Sequence, residues 1–240
     1  MSHDAHSSDG RVQLERIAFY GRTLSEYLKM FGFDDVISLK KYSKILDCPS
    51  GASSFVSEAS RYAINAFACD PLYNKDAGAL AKQGENDIEF VVKRVSETPQ
   101  FYNWDFYSSI DNLREFRKLA LRQFISDYIQ NKKGRYIAGK LPSLPFDDSA
   151  FDMVLSGHFL FTYSHKFDFQ FILSSILELL RISSREVRIY PIQKSSSQPY
   201  EHMTKLLDIL KAEYGILCDI VPVSFEFQKG SNKMFLLSQK

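Results

Sequence analysis

The residues best suited to chemistry begin in the stretch ILDCPSGASSF, residues 45–55. Its apolar start is typical of a buried strand. The acid Asp47 follows, then small residues around Gly51, and apolar side chains return at Phe55. Residues this small let a ligand approach the backbone closely, and the next helix presents its unpaired N–H groups at the same place. The stretch therefore predicts a cofactor loop between a strand and a helix.

Two further positions are candidates for the same site. Asp70 ends a second, nearly unbroken apolar run at residues 63–69, so two predicted strands each end in an acid. His158 follows the fourth predicted strand, at the edge where such sheets bind ligands, and histidine titrates near neutral pH. It could act as a general base, or simply pack and hydrogen-bond within its loop. Tyr163 and His165 are further candidates for the same role.

The alternation of strands and helices predicts the elements that position these residues. Strands are predicted at 44–48, 63–69, 135–138, 151–156, 186–191, 217–227 and 233–237, and helices at 53–61, 87–95, 109–131, 167–182 and 199–214. Continuous apolar strands are typical of a parallel sheet with helices on both faces. The predicted fold class is therefore α/β, with a doubly wound, Rossmann-like sheet. A glycine-containing turn at 229–232 predicts a closing hairpin with an antiparallel last strand.

The predicted organisation is an N-terminal helical segment, residues 1–43, followed by one domain, residues 44–240, with a helical insert at 74–134. In the first segment Thr23 and Glu26 have the spacing of a capping box, and Gly32 is a plausible helix stop. The preceding residues 19–22 are aromatic and basic, and they either fold over a ligand or merely anchor the segment.

The insert contains two patterns that each leave two interpretations open. Its aromatic side chains could form a lid over an acceptor, but such clusters more often form a small core of their own; they are Phe101, Tyr102, Trp104 and Phe106. Basic residues recur at steps of four on the long helix, either as a solvated face or as a site for an acidic partner; they are Arg114, Lys118 and Arg122.

The composition excludes several classes of protein. Thirty Lys and Arg residues nearly cancel 29 Asp and Glu residues, so nucleic acid is not an expected partner. The three cysteines, Cys48, Cys69 and Cys218, form no CxxC pair, and neither a metal site nor a disulfide framework is predicted. Residues 1–10 lack a signal-peptide pattern, and no apolar run reaches the ~20 residues that span a bilayer. The expected location is the cytoplasm.

Four segments in order resemble the class I S-adenosylmethionine-dependent methyltransferases, over nearly the whole chain from Lys44 onwards. They are ILDCPSGASSF, AFACDPLY, LPSLPFDDSAFDMVLSGHFLF, and ILELLRI before EVRIYPI. The pattern LPF-acid-x-x-x-FD-x-V-L is the most specific, because it places a loop, a tight turn and the fourth strand at the family's spacing. The resemblance implies a seven-stranded sheet whose last strand runs against the others. It also implies S-adenosylmethionine as cofactor and S-adenosylhomocysteine as its product.

The resemblance assigns roles to individual positions. Asp47 and Gly51 match the acid and the central glycine that border the methionine part and the sulfonium. Asp70 matches the acid that accepts hydrogen bonds from the ribose hydroxyls, and Pro71 follows it within the cofactor site. Such bonds to a charged group contribute about 1.5–3 kcal/mol. Pro49 stands where the usual loop has a glycine, and it removes an N–H donor.

The remaining cofactor positions follow the third and fourth strands. Leu141 matches the residue whose backbone contacts adenine, and Lys140 stands where many relatives have an acid for the adenine amino group. Ser156, Gly157 and His158 close the pocket after the fourth strand.

Methyl transfer from a sulfonium is an in-line displacement, so the enzyme mainly positions the acceptor and excludes water. The segment SGHF after the fourth strand differs from the Asn/Asp-Pro-Pro-Tyr of enzymes that methylate amino groups of DNA bases or glutamine, and it has no cysteine for attack on a pyrimidine. The predicted acceptor is a small molecule, methylated on oxygen or nitrogen.

Two alternatives remain open from the sequence. An NAD-dependent oxidoreductase would use Asp70 as its ribose acid, but the GxGxxG loop that pyrophosphate requires is missing. A non-catalytic module that binds the cofactor weakly, or only binds proteins, would explain the altered loop with Pro49 and Ser53 in place of glycines.

Overall fold

The computed structural model describes residues 15–130 and 134–238, and its strands form one seven-stranded sheet in the order β3-β2-β1-β4-β5-β7-β6. Strands β1 to β5 pair in parallel, and β7 is antiparallel to both β5 and β6. The predicted α/β fold with an antiparallel last strand is therefore confirmed. The strands are β1 (Ile45–Asp47), β2 (Ala66–Asp70), β3 (Tyr136–Ala138), β4 (Phe151–Gly157), β5 (Ser183–Tyr190), β6 (Leu217–Pro222) and β7 (Lys233–Ser238).

Six α-helices surround this sheet in the described residues. They are α1 (Leu24–Met30), α2 (Phe55–Ser60), α3 (Ala77–Glu97), α4 (Ile110–Gln130), α5 (Phe169–Arg181) and α6 (Met203–Ala212). Short 3₁₀ helices occupy Ile37–Lys41, Pro99–Phe101 and Ser164–Lys166. The predicted polar start at residues 1–10 and the predicted helix end at Asn131 lie outside the described residues.

The helices divide the core between the two faces of the sheet. One apolar cluster includes Leu24, Phe55, Leu80 and Phe124 from α1, α2, α3 and α4. The other includes Ile172 and Leu206 from α5 and α6, among others. Successive β1 residues point to opposite faces, so Ile45 packs in the first cluster and Leu46 in the second.

Helix α3 is more than twice as long as the sequence predicts, and with α4 it forms the helical insert between β2 and β3. The carboxylate of Asp76 caps its start by accepting a hydrogen bond from Ala79 N at 2.8 Å. Gly84 weakens the helical pattern but has a packing role, since a Cβ atom there would lie 2.5 Å from Leu121 Cδ1. The glycine thus lets α3 and α4 approach closely.

Helix α1 begins and ends as its sequence indicates. The Glu26 carboxylate accepts a hydrogen bond from Thr23 N at 2.9 Å, and Gly32 follows the helix with a φ of +67°. This φ lies in the left-handed region that glycine adopts without strain.

The aromatic residues of the insert pack against the segment after β6. Tyr102 stacks on Phe227 with ring centroids 4.8 Å apart, and Phe106 meets Phe225 edge to face at 5.3 Å. On the adjoining helix, Arg114 and Lys118 pair with Glu89 of α3 at 3.3 and 3.8 Å. No helix among the described residues is both long and apolar enough to cross a bilayer.

Candidate active site

A cavity of about 480 Å³ opens at the carboxyl ends of the central strands. This volume is in the range of about 300–1,000 Å³ that small-molecule sites occupy. Most of the residues singled out in the sequence line it, namely Gly51, Asp70, Pro71, Lys140, Leu141, Gly157 and His158. Asp47 and Ser156 do not; both are fully buried behind the wall. The insert aromatics Phe101, Tyr102, Trp104 and Phe106 are also absent from the lining, which favours the interpretation that they pack within the protein over the one in which they form a lid.

Asp70 is held at the end of β2 by two backbone amides. Its Oδ2 accepts a hydrogen bond from Gly51 N at 3.0 Å, and its Oδ1 accepts one from Leu72 N at 2.9 Å. The residue is only 6% exposed, and burial raises the pKa of its carboxyl to about 6. A carboxylate oxygen has more than one acceptor position, so both oxygens can still accept hydrogen bonds from ligand hydroxyls.

Asp47 fixes the loop after β1 from behind. Its Oδ2 accepts hydrogen bonds from the Tyr27 hydroxyl at 2.7 Å and from Ser50 Oγ at 2.6 Å. Its Oδ1 has no hydrogen-bond partner in the described part of the chain. Burial raises the pKa of this carboxyl to about 7, and the nearby charge of Asp70 acts in the same direction. Asp47 therefore acts on the cavity through Tyr27 and Ser50, which line it.

Residues 16–22, which we call the N-terminal strap, cross the cavity and form part of its wall. Phe19 N donates a hydrogen bond to Asp87 Oδ2 of α3 at 2.6 Å, and Arg16 forms an ion pair with the same carboxylate. Ala18 N donates to the Tyr163 hydroxyl at 3.2 Å. Of the two interpretations of residues 19–22, the structure favours the one in which they cover the site, since Phe19, Tyr20 and Arg22 line the cavity.

A buried ion pair supports the strap and is the feature that the sequence interpretation missed. Arg117 of α4 contacts both carboxylate oxygens of Glu26 and donates to Gly21 O at 2.7 Å, while the Tyr107 hydroxyl also donates to Glu26. Burial alone would raise the pKa of Glu26, but the charge and hydrogen bonds of Arg117 outweigh it and hold that pKa below its usual value. A signal was present: Arg117 lies four residues after Leu113, within the apolar stripe of α4.

His158 follows β4 and keeps part of its surface towards the cavity. Its backbone N donates to Tyr190 O at 2.6 Å, and its ring meets that of Tyr190 at 5.1 Å. Its Nε2 is buried without a hydrogen-bond partner in the described part of the chain. Burial, followed by the positive charges of Arg22 and Arg117, holds the pKa of this imidazole well below 6.5. The ring is therefore neutral at physiological pH.

Two other lining residues carry buried polar atoms without hydrogen-bond partners in the described residues. They are Arg22, through its Nε, and Thr162, through its Oγ1. Arg22 Nε forms an ion pair with Glu26, whose Oε1 lies 3.9 Å away. Among the described residues, no group of three or more His, Cys, Asp or Glu side chains could hold a metal ion.

The part of the cavity wall that follows β4 is aromatic. The sequence interpretation did not predict an aromatic wall there. Four lining residues, which we call the aromatic wall, form it: Phe159, Tyr163, Phe167 and Phe171. Phe167 stacks on Phe171 with centroids 4.3 Å apart, and Phe159 lies 5.2 Å from Phe167 and 6.4 Å from Tyr163.

Comparisons with known proteins give one close relative by sequence. The uncharacterized protein MJ0045 of Methanocaldococcus jannaschii is 32% identical over 228 residues, which cover 94% of this chain and 98% of the relative. No protein-family model matches the chain.

Solved structures resemble the chain more distantly. One is a SAM-dependent methyltransferase from Aquifex aeolicus, 14% identical, covering 89% of this chain and 91% of the other, with a TM-score of 0.40. Another is magnesium protoporphyrin IX methyltransferase from Synechocystis PCC 6803 with bound SAM, 10% identical, covering 90% of each chain, with a TM-score of 0.44. These values are too low to assign an activity, which must be argued from the site itself.

Proposed function

We propose that this chain, a member of the family of the uncharacterized protein MJ0045, is an S-adenosylmethionine-dependent methyltransferase that acts on a small molecule. The observation that carries the proposal is Asp70, whose carboxylate is fixed on the cavity wall by Gly51 N and Leu72 N. A fixed acid at the end of the second strand of such a sheet suits the two ribose hydroxyls of the cofactor.

The other polar groups of the cavity suit the rest of the cofactor. The methionine part carries a carboxylate, and Arg22 offers a guanidinium whose Nε has no hydrogen-bond partner in the described residues and lies 3.9 Å from Glu26 Oε1. It also carries an ammonium and a sulfonium, whose positive charges favour the ionised form of the Asp47 carboxyl buried behind the cavity wall. Lys140 and Leu141, after β3, line the part of the cavity proposed to hold adenine.

Methyl transfer requires the chain to hold the acceptor and to remove one proton from it. S-adenosylmethionine, when bound, supplies a methyl group on a sulfonium. His158 is neutral and can take the proton of an acceptor hydroxyl or ammonium through its imidazole. The N-terminal strap excludes water, because Phe19 and Tyr20 close one side of the cavity. We also propose a cytoplasmic location, which the three free, buried cysteines support.

Calorimetry with S-adenosylmethionine, S-adenosylhomocysteine and NAD tests the proposal. We expect the first two to bind with dissociation constants in the micromolar range, about −8 kcal/mol. Asp70→Ala should abolish this binding, whereas Asp219→Ala, an exposed acid on β6, should leave it unchanged. Equal binding by Asp70→Ala would overturn the ribose assignment. Binding of NAD alone would favour an oxidoreductase, and no binding by the folded chain would favour an interaction module.

Turnover with an acceptor tests the role of His158. A screen of metabolite extracts for methyl incorporation would supply that acceptor. We expect His158→Gln to lower kcat by about 10²–10⁴-fold if the group is a general base. An unchanged rate and an unchanged pH profile would show that His158 only packs in its loop.

A further inference from the structure

The aromatic wall occupies the opposite side of the cavity from the proposed cofactor groups. Asp70 and Lys140 follow β2 and β3, whereas the wall follows β4, and the strand order places β1 between these two sets. The cofactor groups and the wall are therefore separate parts of one cavity, on either side of the loop after β1.

The rings of this wall are incompletely covered by the protein. Phe159, Phe167 and Phe171 are only partly buried although each lines the cavity. Their mutual contacts cover some of their faces and edges and leave other ring surface uncovered. Exposed aromatic surface gains most from a flat aromatic ligand, because ring pairs stabilise a complex beyond the burial of area.

The polar groups beside the wall fit one hydroxyl and no ionised group. Thr162 Oγ1 and His158 Nε2 both lack partners in the described residues, and both residues line the cavity. Between them a donor and an acceptor are available. Among the described residues that line the cavity, Asp70 is the only acid, and it lies on the far side, while Arg22 is proposed to bind the cofactor carboxylate.

We propose that the aromatic wall binds the flat, uncharged ring of a phenol and that the phenolic hydroxyl is held by His158 and Thr162. This inference rests on the proposed function and names the acceptor class of the same site. The phenolic oxygen forms the new bond to the methyl carbon and gives its proton to His158, while the electron pair of the broken carbon–sulfur bond stays on sulfur. The product is an aryl methyl ether.

The test uses 2-naphthol as probe and its saturated analogue decahydro-2-naphthol as comparison, both titrated into the whole chain by calorimetry. Each titration is done with and without saturating S-adenosylhomocysteine. We expect 2-naphthol to bind and decahydro-2-naphthol to bind at least tenfold more weakly. Phe167→Leu and Phe171→Leu should each weaken 2-naphthol about tenfold, because each removes ring contacts while keeping an apolar side chain.

Phe169→Leu, at the first residue of α5, is the matched control. Phe169 lies between the two test positions, but its ring contacts His202 and Lys205 and it does not line the cavity. It should bind 2-naphthol as the unmodified chain does. Thr162→Val should remove the preference for 2-naphthol over naphthalene, since it replaces the hydroxyl with a methyl group of similar size.

Equal affinity for the flat and the saturated alcohol would overturn the inference, as would unchanged binding in Phe167→Leu and Phe171→Leu, or no binding of 2-naphthol in either state. Failure of the proposed function is a different result, namely no binding of S-adenosylhomocysteine. The titrations without S-adenosylhomocysteine then still decide whether the wall binds a phenol.

Discussion

Gly21 of the N-terminal strap packs directly against Ala52 in the loop after β1, and a Cβ atom on Gly21 would lie 1.8 Å from Ala52 O. Only glycine permits this approach, because real Cβ atoms do not come so close to a backbone oxygen. The strap and the cofactor loop therefore form one wall.

Gly21→Ala should separate these two segments. We expect the dissociation constant for S-adenosylmethionine to rise at least tenfold, about 1.4 kcal/mol, because the strap must move away from the cavity. Calorimetry measures this change. Gly78→Ala in α3 is the control, since a Cβ there meets only the Asp76 side chain, at 3.2 Å. Wild-type affinity in Gly21→Ala would contradict the contribution of the strap to the site.

Asp87 should act as the anchor of the strap on α3. Asp87→Ala removes both the hydrogen bond from Phe19 N and the ion pair with Arg16. We expect it to lower the free energy of unfolding by about 1–3 kcal/mol and to weaken cofactor binding. Asp87→Asn keeps an acceptor for Phe19 N and should lose less of both. If the two variants behave alike in urea unfolding and calorimetry, the backbone hydrogen bond is not the anchor.

The ion pair of Glu26 and Arg117 should be costly to break, since both side chains are almost completely buried. We expect Glu26→Gln or Arg117→Met alone to lower the free energy of unfolding by about 3–5 kcal/mol, because each leaves a buried charge without its partner. The double variant should lose much less than the sum of the two. Urea unfolding of all four proteins measures the coupling, and additive losses would refute it.

The affinity for S-adenosylmethionine should rise between pH 5 and pH 8. Burial raises the pKa values of Asp47 and Asp70 to about 7 and about 6, so both carboxyls lose their protons in this range. The positive charges and the ribose hydroxyls of the cofactor favour the ionised carboxylates, so binding should release protons. Calorimetry at pH 6 in two buffers of different ionisation enthalpy measures that release. Asp47→Asn should reduce it, and an affinity independent of pH would contradict the argument.

The same carboxyls give the free chain an opposite dependence on pH. Their folded pKa values lie above the ordinary 3.8, so the folded state binds more protons than the unfolded state between pH 4 and pH 7. The stabilising contribution is complete below pH 4 and is lost as the pH rises through 6 and 7. Asp47→Asn should flatten this slope of the unfolding free energy without ligand.

Much of the fold could be predicted because it depends on local patterns. Apolar runs predicted the strands, and the glycine turn near Gly230 predicted the closing hairpin. Helix α3 was predicted too short, because Gly78 and Gly84 interrupt its pattern, and the packing role of Gly84 becomes apparent only once α4 packs against it. The helix preferences of neighbouring residues contain no information about a contact with a helix that comes later in the chain.

The site residues that follow strand ends could be predicted from the sequence. Those that reach the cavity through the packing of helices could not. Residues after β1 to β4 meet in one cavity because parallel strands end at one edge, although their roles remain predictions. Phe167 and Phe171 have the spacing of core residues on the helix predicted at 167–182, which begins at Phe169 in the structure. Periodicity does not distinguish a ring that faces the core from one that faces a cavity. The burial of Arg117 is explained only by its ion pair with Glu26, which lies in a distant segment of the chain.

Strand β7 lies between β5 and β6, so β6 follows β5 in the chain but does not pair with it. During synthesis β6 therefore leaves the ribosome before β7, its neighbour in the sheet, has been made. Until then neither edge of β6 is paired. The segment after β6 carries Phe225 and Phe227, onto which the insert aromatics pack. Arrival of β7 would then complete the sheet and fix that packing together, as a late step in the maturation of the nascent chain.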